Sequence, residues 1–164
     1  MHYQEVRILP MDRQNEFNDR EIDDVQTNYF LNEMPSRLKK PENYNGIYCY
    51  KSKRMNVLGG GETLVLFQYD NKIIACADLM LDVPNSASNG YAGYYVFSPK
   101  SIKVFRPMDS QSIGDIFGKT IKFAQATHKL DPLKCNTFFS QLIDVLQVPD
   151  HLKSTIEWSC IPAN

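Results

Sequence analysis

The sequence predicts an α+β fold, and three observations carry that prediction. The patterned segments run in the order strand, helix, a cluster of strands, then helices. Two β-type runs, TLVLFQY at 63–69 and KIIACADL at 72–79, flank Asp70-Asn71, a residue pair that tolerates positive φ and suits a tight hairpin turn. After Pro107 the apolar spacing changes from strand-like to helix-like. A compact curved sheet or small pseudo-barrel with flanking helices fits this order better than an alternating parallel sheet. A length of 164 residues suits a single domain. Its core is expected over about residues 46–108 and its helical C-terminal part over about 109–164.

The elements follow in order. Residues 3–9 (YQEVRIL) form a first strand, closed by Pro10. Ile22, Val25, Tyr29 and Phe30 fall near helical spacing and predict a helix over 18–33, capped by Asn18 or Asp19 and ended by Pro35. A short strand covers 46–51. Gly59-Gly60-Gly61 is a flexible break; it lacks phosphate-loop spacing and leads into a strand, so it is no nucleotide fingerprint. In the hairpin, Leu64, Leu66, Ile73 and Ala75 alternate with Val65, Phe67, Ile74 and Cys76, so both faces are apolar and the strands should be central. Residues 84–93 (PNSASNGYAG) read as a loop, and 94–97 and 101–105 as strands. Helices are expected over 113–117, 123–128 and 137–146, the last burying Phe138, Leu142, Val145 and Leu146. Trp158 is expected to pack a terminal segment onto the core.

Hydrophobic residues at 43% and aromatics at 12% exclude a disordered chain. The net charge of −1 makes no global case for nucleic acid, but the distribution is polar. Residues 11–33 hold seven acids against two bases; residues 37–54 hold six bases against Glu42. Cysteines 49, 76, 135 and 160 have no CxxC spacing, which favours a reducing compartment over a disulfide framework. The first residues lack a signal-peptide core and no run approaches a membrane span, so a cytoplasmic location without a membrane partner is expected. His2, His128 and His151 are scattered, and neither a zinc-deaminase pattern nor GxSxG occurs. No metal, cofactor or catalytic residue is assigned.

The segment GIYCYKSKRMN at 46–56 is the densest candidate site. Tyr48 and Tyr50 share a strand face, beside Lys51, Lys53 and Arg54. Aromatic faces stack bases while Lys and Arg neutralise phosphates. The base-binding candidates are Tyr48, Tyr50, Asn56 and, from the 85–95 segment, Tyr94 and Tyr95. The phosphate-binding candidates are Arg37, Lys39, Lys40, Lys51, Lys53 and Arg54. The blander alternative, packed tyrosines beside a solvated basic turn, stays open. Asp70, Asp78 and Asp82 are the candidate carboxylates of a nuclease, with Asp70 a turn residue and Asp78 an outward strand position.

GETLVLFQYDNKIIACADLM resembles the strand–turn–strand of the PUA-like superfamily, and YYVFSPKSIKVFRPM looks like the next strand pair of that small barrel. The resemblance covers about residues 46–108. It points to the EVE, YTH and ASCH branches, and to the base-sensing modules of modification-dependent restriction endonucleases. It implies a pseudo-barrel whose pocket receives a flipped base between aromatic rings. The family cage often uses tryptophan near the first helix and strand. This chain has none there, so its cage would draw on Tyr48, Tyr50, Tyr94 and Tyr95. The family's glycine after the second strand's apolar pair is Ala75 or Cys76 here. The implied partner is nucleic acid, specifically DNA with a modified base, with a nuclease domain or subunit beside it in bacterial restriction–modification defence. Two rivals remain: a small nuclease or hydrolase on the same fold, and a protein-interaction adaptor in phage defence that docks through the acidic 11–33 segment.

Overall fold

The computed structural model describes residues 2–39, 44–50, 59–88, 90–123 and 129–153. Within them the fold is α+β, built on an eight-stranded mixed sheet with a separate two-stranded sheet, ten strands in all. The strands are β1 (Glu5–Pro10), β2 (Leu38–Lys39), β3 (Tyr44–Asn45), β4 (Ile47–Tyr50), β5 (Thr63–Tyr69), β6 (Lys72–Ser88), β7 (Tyr91–Phe97), β8 (Lys103–Met108), β9 (Lys129–Leu130) and β10 (Leu146–Gln147). Three helices join them. The first, α1, is one continuous winding of Ile22–Asp24, Val25–Glu33 and Met34–Ser36; α2 is Ser110–Phe117 and α3 is Cys135–Ser140.

The main path runs β10-β8-β6-β5-β1-β9. The β1–β5 ladder is parallel and the other described ladders are antiparallel. The hairpin forms as expected. Asp70 and Asn71 take φ of 50° and 60°, the left-handed pair of a two-residue hairpin turn. Its strands are central, with β5 between β1 and β6 and β6 between β5 and β8. The alternation is broken once. The ladder pairs Phe67 with Ala75 and then Gln68 with Ile73, which leaves Ile74 as the extra residue of a bulge. Ile74 and Ala75 therefore both face α1, while Ile73 and Cys76 face the other side.

Among the described residues no ladder returns the sheet onto itself, so the expected pseudo-barrel is an open sheet. The 17-residue β6 is the reason. Its first part pairs with β8 and its second with β7, and β4 adds outside β7, so the sheet branches instead of closing. The expected 84–93 loop is also corrected. The β6–β7 ladder continues to Ser88 opposite Tyr91, and cross-strand pairing overrides the loop-like composition.

The sheet buries a core on each face. On one side lie Val25, Tyr29, Phe30 and Met34 of α1 against Phe67, Ala75, Ala77 and Phe97. On the other, Ile113, Ile116 and Phe117 of α2 and Phe138 of α3 cover Val6, Leu64, Leu66 and Phe105. The helix α1 begins after Asn18 and Asp19, which occupy left-handed φ, and its cap residue is Glu21. Neither predicted cap residue holds that position. Its middle is wound wide: the Met34 N–H donates to the Tyr29 carbonyl five residues back. Pro35 lies inside its last turn, and the Ser36 hydroxyl donates to the Asn32 carbonyl at 2.6 Å.

The C-terminal expectation fails in part. Helix α3 stops at Ser140, and Asp144 takes a φ of 56°, which no helix continues through. Phe138 is buried as expected, Leu142 is half-buried, and Val145 and Leu146 are exposed. Most of the predicted 123–128 helix, with Trp158 and Cys160, lies outside the described residues.

Candidate functional site

Beyond the C-terminal end of β1 a cavity of about 250 Å³ opens, lined by Leu9, Asp12, Asn15, Glu16, Tyr48, Tyr50 and Tyr95. Three tyrosines come from two neighbouring strands. The two-residue period of β4 puts Tyr48 and Tyr50 on one face. The β4–β7 register then sets Tyr48 opposite Tyr95 and Tyr50 opposite Gly93. Gly93 is what makes room for Tyr50: a Cβ there would lie 2.6 Å from the ring carbon Cζ and 2.6 Å from the Val83 carbonyl. A side chain at 93 would push Tyr50 out of its position.

The facing wall is a turn that follows β1. The Asp12 carboxylate accepts the N–H groups of Gln14 and Asn15, each at 3.0 Å, and the Asn15 side-chain amide at 2.8 Å. The Glu16 carboxylate reaches back to accept the Asp12 N–H at 2.9 Å. This reciprocal capping fixes the turn locally. It also delivers Glu16 to β4, where the Tyr48 hydroxyl donates to its other oxygen. The Tyr50 hydroxyl donates to buried Asp82 at 2.8 Å. Burial, and then this hydrogen bond, raise the Tyr50 phenol above its ordinary range and keep it protonated.

Both rings are thus held by both ends. Tyr50 and Tyr95 lie 4.6 Å apart between centroids, tilted by 38°. A flat ligand between two rings needs roughly 7 Å, twice a ~3.5 Å carbon contact, so nothing inserts between this pair. Among the described residues, the charged ones lining the cavity are Asp12 and Glu16.

The expected site residues are distributed unevenly. Tyr48, Tyr50 and Tyr95 meet at the cavity. Tyr94 points to the opposite side of β7 and packs with Ile47, Leu81 and Val96, so the structure does not bring it to the other three. Arg37 is exposed at the end of α1, its guanidinium 5.8 Å from the Tyr29 ring centroid. The backbone of Lys39 pairs with Tyr44 in the β2–β3 ladder. Lys40, Lys51, Lys53, Arg54 and Asn56 lie outside the described residues.

The three candidate nuclease carboxylates each have a different partner. Asp70 pairs with Arg13 at 2.6 Å, Asp78 accepts from Tyr3 at 2.6 Å, and Asp82 accepts from Tyr50. Asp78 is buried and not outward as expected. Among the described residues no group of three His, Cys, Asp or Glu is placed to hold a metal ion. Cys76 is buried, its thiol pushed up to about 12 chiefly by desolvation, which makes it a poor nucleophile.

Asp12, Asn15, Glu16 and Asp82 were not singled out from the sequence as parts of this site. The run DRQNE after Pro10 carries a local signal, an Asp whose side chain can cap the next turn with a Glu four residues on. Comparison with known proteins returns no matching family model, curated protein or solved structure.

Proposed function

We propose that this protein is a nucleic-acid-binding module that admits a single extruded base, a modified base in DNA, to the cavity of Tyr48, Tyr50 and Tyr95. The observation that carries this reading is the convergence of three pre-positioned tyrosines on one cavity sized for a small flat ring. The hydroxyl bonds of Tyr48 to Glu16 and of Tyr50 to Asp82 lower the ordering cost of binding. The basic residues Lys51, Lys53 and Arg54 follow Tyr50 directly in sequence, and Arg37, Lys39 and Lys40 precede the same strand. They supply the phosphate contacts in this reading. The PUA-like assignment belongs to the same proposal. It is supported by the central hairpin; β7 and β8 each pair with β6 and not with one another, and the sheet is open. In such a protein the module serves as the sensor of a cytoplasmic modification-dependent restriction system and passes the signal to a nuclease.

The test is fluorescence anisotropy with plain and base-modified oligonucleotides at several salt concentrations. Tyr50 is buried, so Tyr50→Ala is first checked for folding; it is expected to weaken binding by ~1–3 kcal/mol, and Tyr50→Phe, which keeps the ring, far less. Replacing Lys51, Lys53 and Arg54 together by Ala is expected to flatten the salt dependence equally for all oligonucleotides. Unchanged binding by Tyr48→Ala, Tyr50→Ala and Tyr95→Ala alike would overturn the reading.

A further inference from the structure

A second cavity, of about 350 Å³, opens on the other side of the sheet, where α2 and α3 lie. Its lining includes Tyr3, Lys103 of β8, Asn136 and Phe139 of α3, and Leu142 and Val145 just beyond that helix. Small-molecule sites occupy roughly 300–1,000 Å³, so the volume suits a small ligand. Most of the lining is reachable: Phe139, Leu142 and Lys103 are half-buried, and Asn136 and Val145 are exposed. The Tyr3 and Phe139 rings lie 6.3 Å apart between centroids, tilted by 33°. The Tyr3 hydroxyl is committed to Asp78, so Tyr3 contributes its ring.

Lys103 is out of keeping with these neighbours. Strand alternation puts it on the same face of β8 as buried Phe105, and its ladder partners are Cys76 and Gln147. A cation beside a core normally has an ionic partner. Among the described residues no carboxylate forms an ion pair with Lys103; its ammonium lies 5.5 Å from the Phe139 ring centroid. Its charge is felt deeper in, where it pulls the Asp78 carboxyl and the Cys76 thiol down against the rise that burial causes. The Asn136 side-chain amide likewise has no hydrogen-bond partner among the described residues. The cavity thus joins an apolar floor to one cation and one amide that are not otherwise engaged, and no acid lines it.

We infer that this cavity binds a small organic monoanion, an aromatic or aliphatic body that ends in one carboxylate. The body packs on Tyr3, Phe139, Leu142 and Val145, and the carboxylate takes its hydrogen bonds from Lys103 and Asn136. One cation matches one negative charge, whereas a phosphate dianion would leave a charge uncompensated beside apolar surface. The site lies across the sheet from the tyrosine cavity and does not rest on the base-binding reading.

The experiment follows the amide NMR signals of the intact protein as phenylbutyrate is added at neutral pH and fixed salt. Phenylbutanol and phenylbutylamine, which share its apolar body, and sodium sulfate, a bare anion, are the comparison probes. The carboxylate is expected to bind about tenfold tighter than the alcohol, with the amine weaker still and sulfate alone without effect. The shifting signals are expected at Lys103, Asn136, Phe139 and Leu142, and not on β4. Lys103→Met keeps the apolar stem without the charge and is expected to bring the carboxylate down to the affinity of the alcohol. Lys103→Arg is expected to keep the preference, and each variant is checked for an unchanged melting transition. Equal affinities for carboxylate and alcohol in the unaltered protein would overturn the inference, whether or not the variants fold. So would shifts confined to other parts of the sheet, or no shifts with any of the probes.

Discussion

Strand β6 carries two tyrosine–carboxylate pairs four residues apart, and they sit in different surroundings. Asp78 takes its hydrogen bond from Tyr3 on the side covered by α2 and α3, among Cys76, Cys135 and Phe138. Asp82 takes its bond from Tyr50, whose ring forms part of the cavity wall on the α1 side. The chemistry is the same in both: a buried carboxylate costs free energy unless a donor reaches it, and a phenol is that donor. At Asp78 the bond joins the chain's N-terminal residues to the sheet 75 positions later. At Asp82 it fixes the angle of a ring that lines the cavity and is itself buried. A tyrosine near an acid is therefore no sign of function by itself, and neither is space beside its ring: Tyr3 also lines a cavity, of about 350 Å³, with Lys103, Phe139 and Leu142. What separates the two pairs is that the Tyr50 cavity is lined by two further tyrosines and by Asp12 and Glu16.

The largest expected effect lies under both pairs. Phe67 is fully buried at the centre of β5, packed with Phe30 and Phe97 at centroid distances of 4.8 and 5.0 Å. Phe67→Ala should cost ~3–5 kcal/mol in chemical denaturation. A loss below ~1 kcal/mol would mean that the sheet is not the common support of the two pairs.

The Tyr3–Asp78 pair should come next. Burial raises the Asp78 carboxyl above its usual 3.8, and the Tyr3 hydrogen bond pulls against that rise. The folded state therefore binds the proton more tightly than the unfolded chain. The stability this group contributes is fully present below the ordinary carboxylate value and is lost as pH rises through the raised one. Tyr3→Phe leaves the carboxylate without this donor and should cost ~1–3 kcal/mol at neutral pH, less in acid. Asp78→Asn should flatten the slope between acid and neutral pH. A Tyr3→Phe penalty that is the same at both pH values would break the assignment.

At the other pair, Tyr50→Phe should cost less, ~0.5–1.5 kcal/mol by the same denaturation measurement, with any further loss seen in ligand binding. If Tyr50→Phe destabilises more than Tyr3→Phe, the two pairs have been assigned the wrong way round. The smallest effect belongs to the β10 edge. Leu146 is 52% exposed, so Leu146→Ser should shift stability by less than ~0.5 kcal/mol. A larger loss would place this segment in the core, as its apolar spacing had suggested.

What could be read from the sequence was what neighbouring residues decide. The 63–79 hairpin followed from alternation and turn chemistry, and α2 from its spacing, with Asp109 capping the Ser112 N–H at 2.8 Å. Tyr48 and Tyr50 were paired correctly because a strand's period fixes their shared face. Distant pairings were not legible. The parallel β1–β5 ladder brings Asp12 and Glu16 to a strand more than 30 residues away, and no local pattern encodes that meeting. Tyr94 was grouped with Tyr95 by adjacency, yet adjacent strand residues face opposite ways. The last helix stopped at Ser140, and the positive φ of Asp144 bars the continuation to 146 that periodicity alone suggested.

The bulge at Ile74 has one more consequence. The side-chain amide of Gln26, on α1, donates to the carbonyls of Ile74 and Phe105 at 3.0 and 2.6 Å, one on β6 and one on β8. A single side chain thus laces the helix to two strands where their ladder is interrupted. Undocking α1 would break both bonds at once, so helix and bulged strands should open together. In amide hydrogen exchange they would then form one cooperative unit with a shared opening free energy, and Gln26→Leu would split it into two.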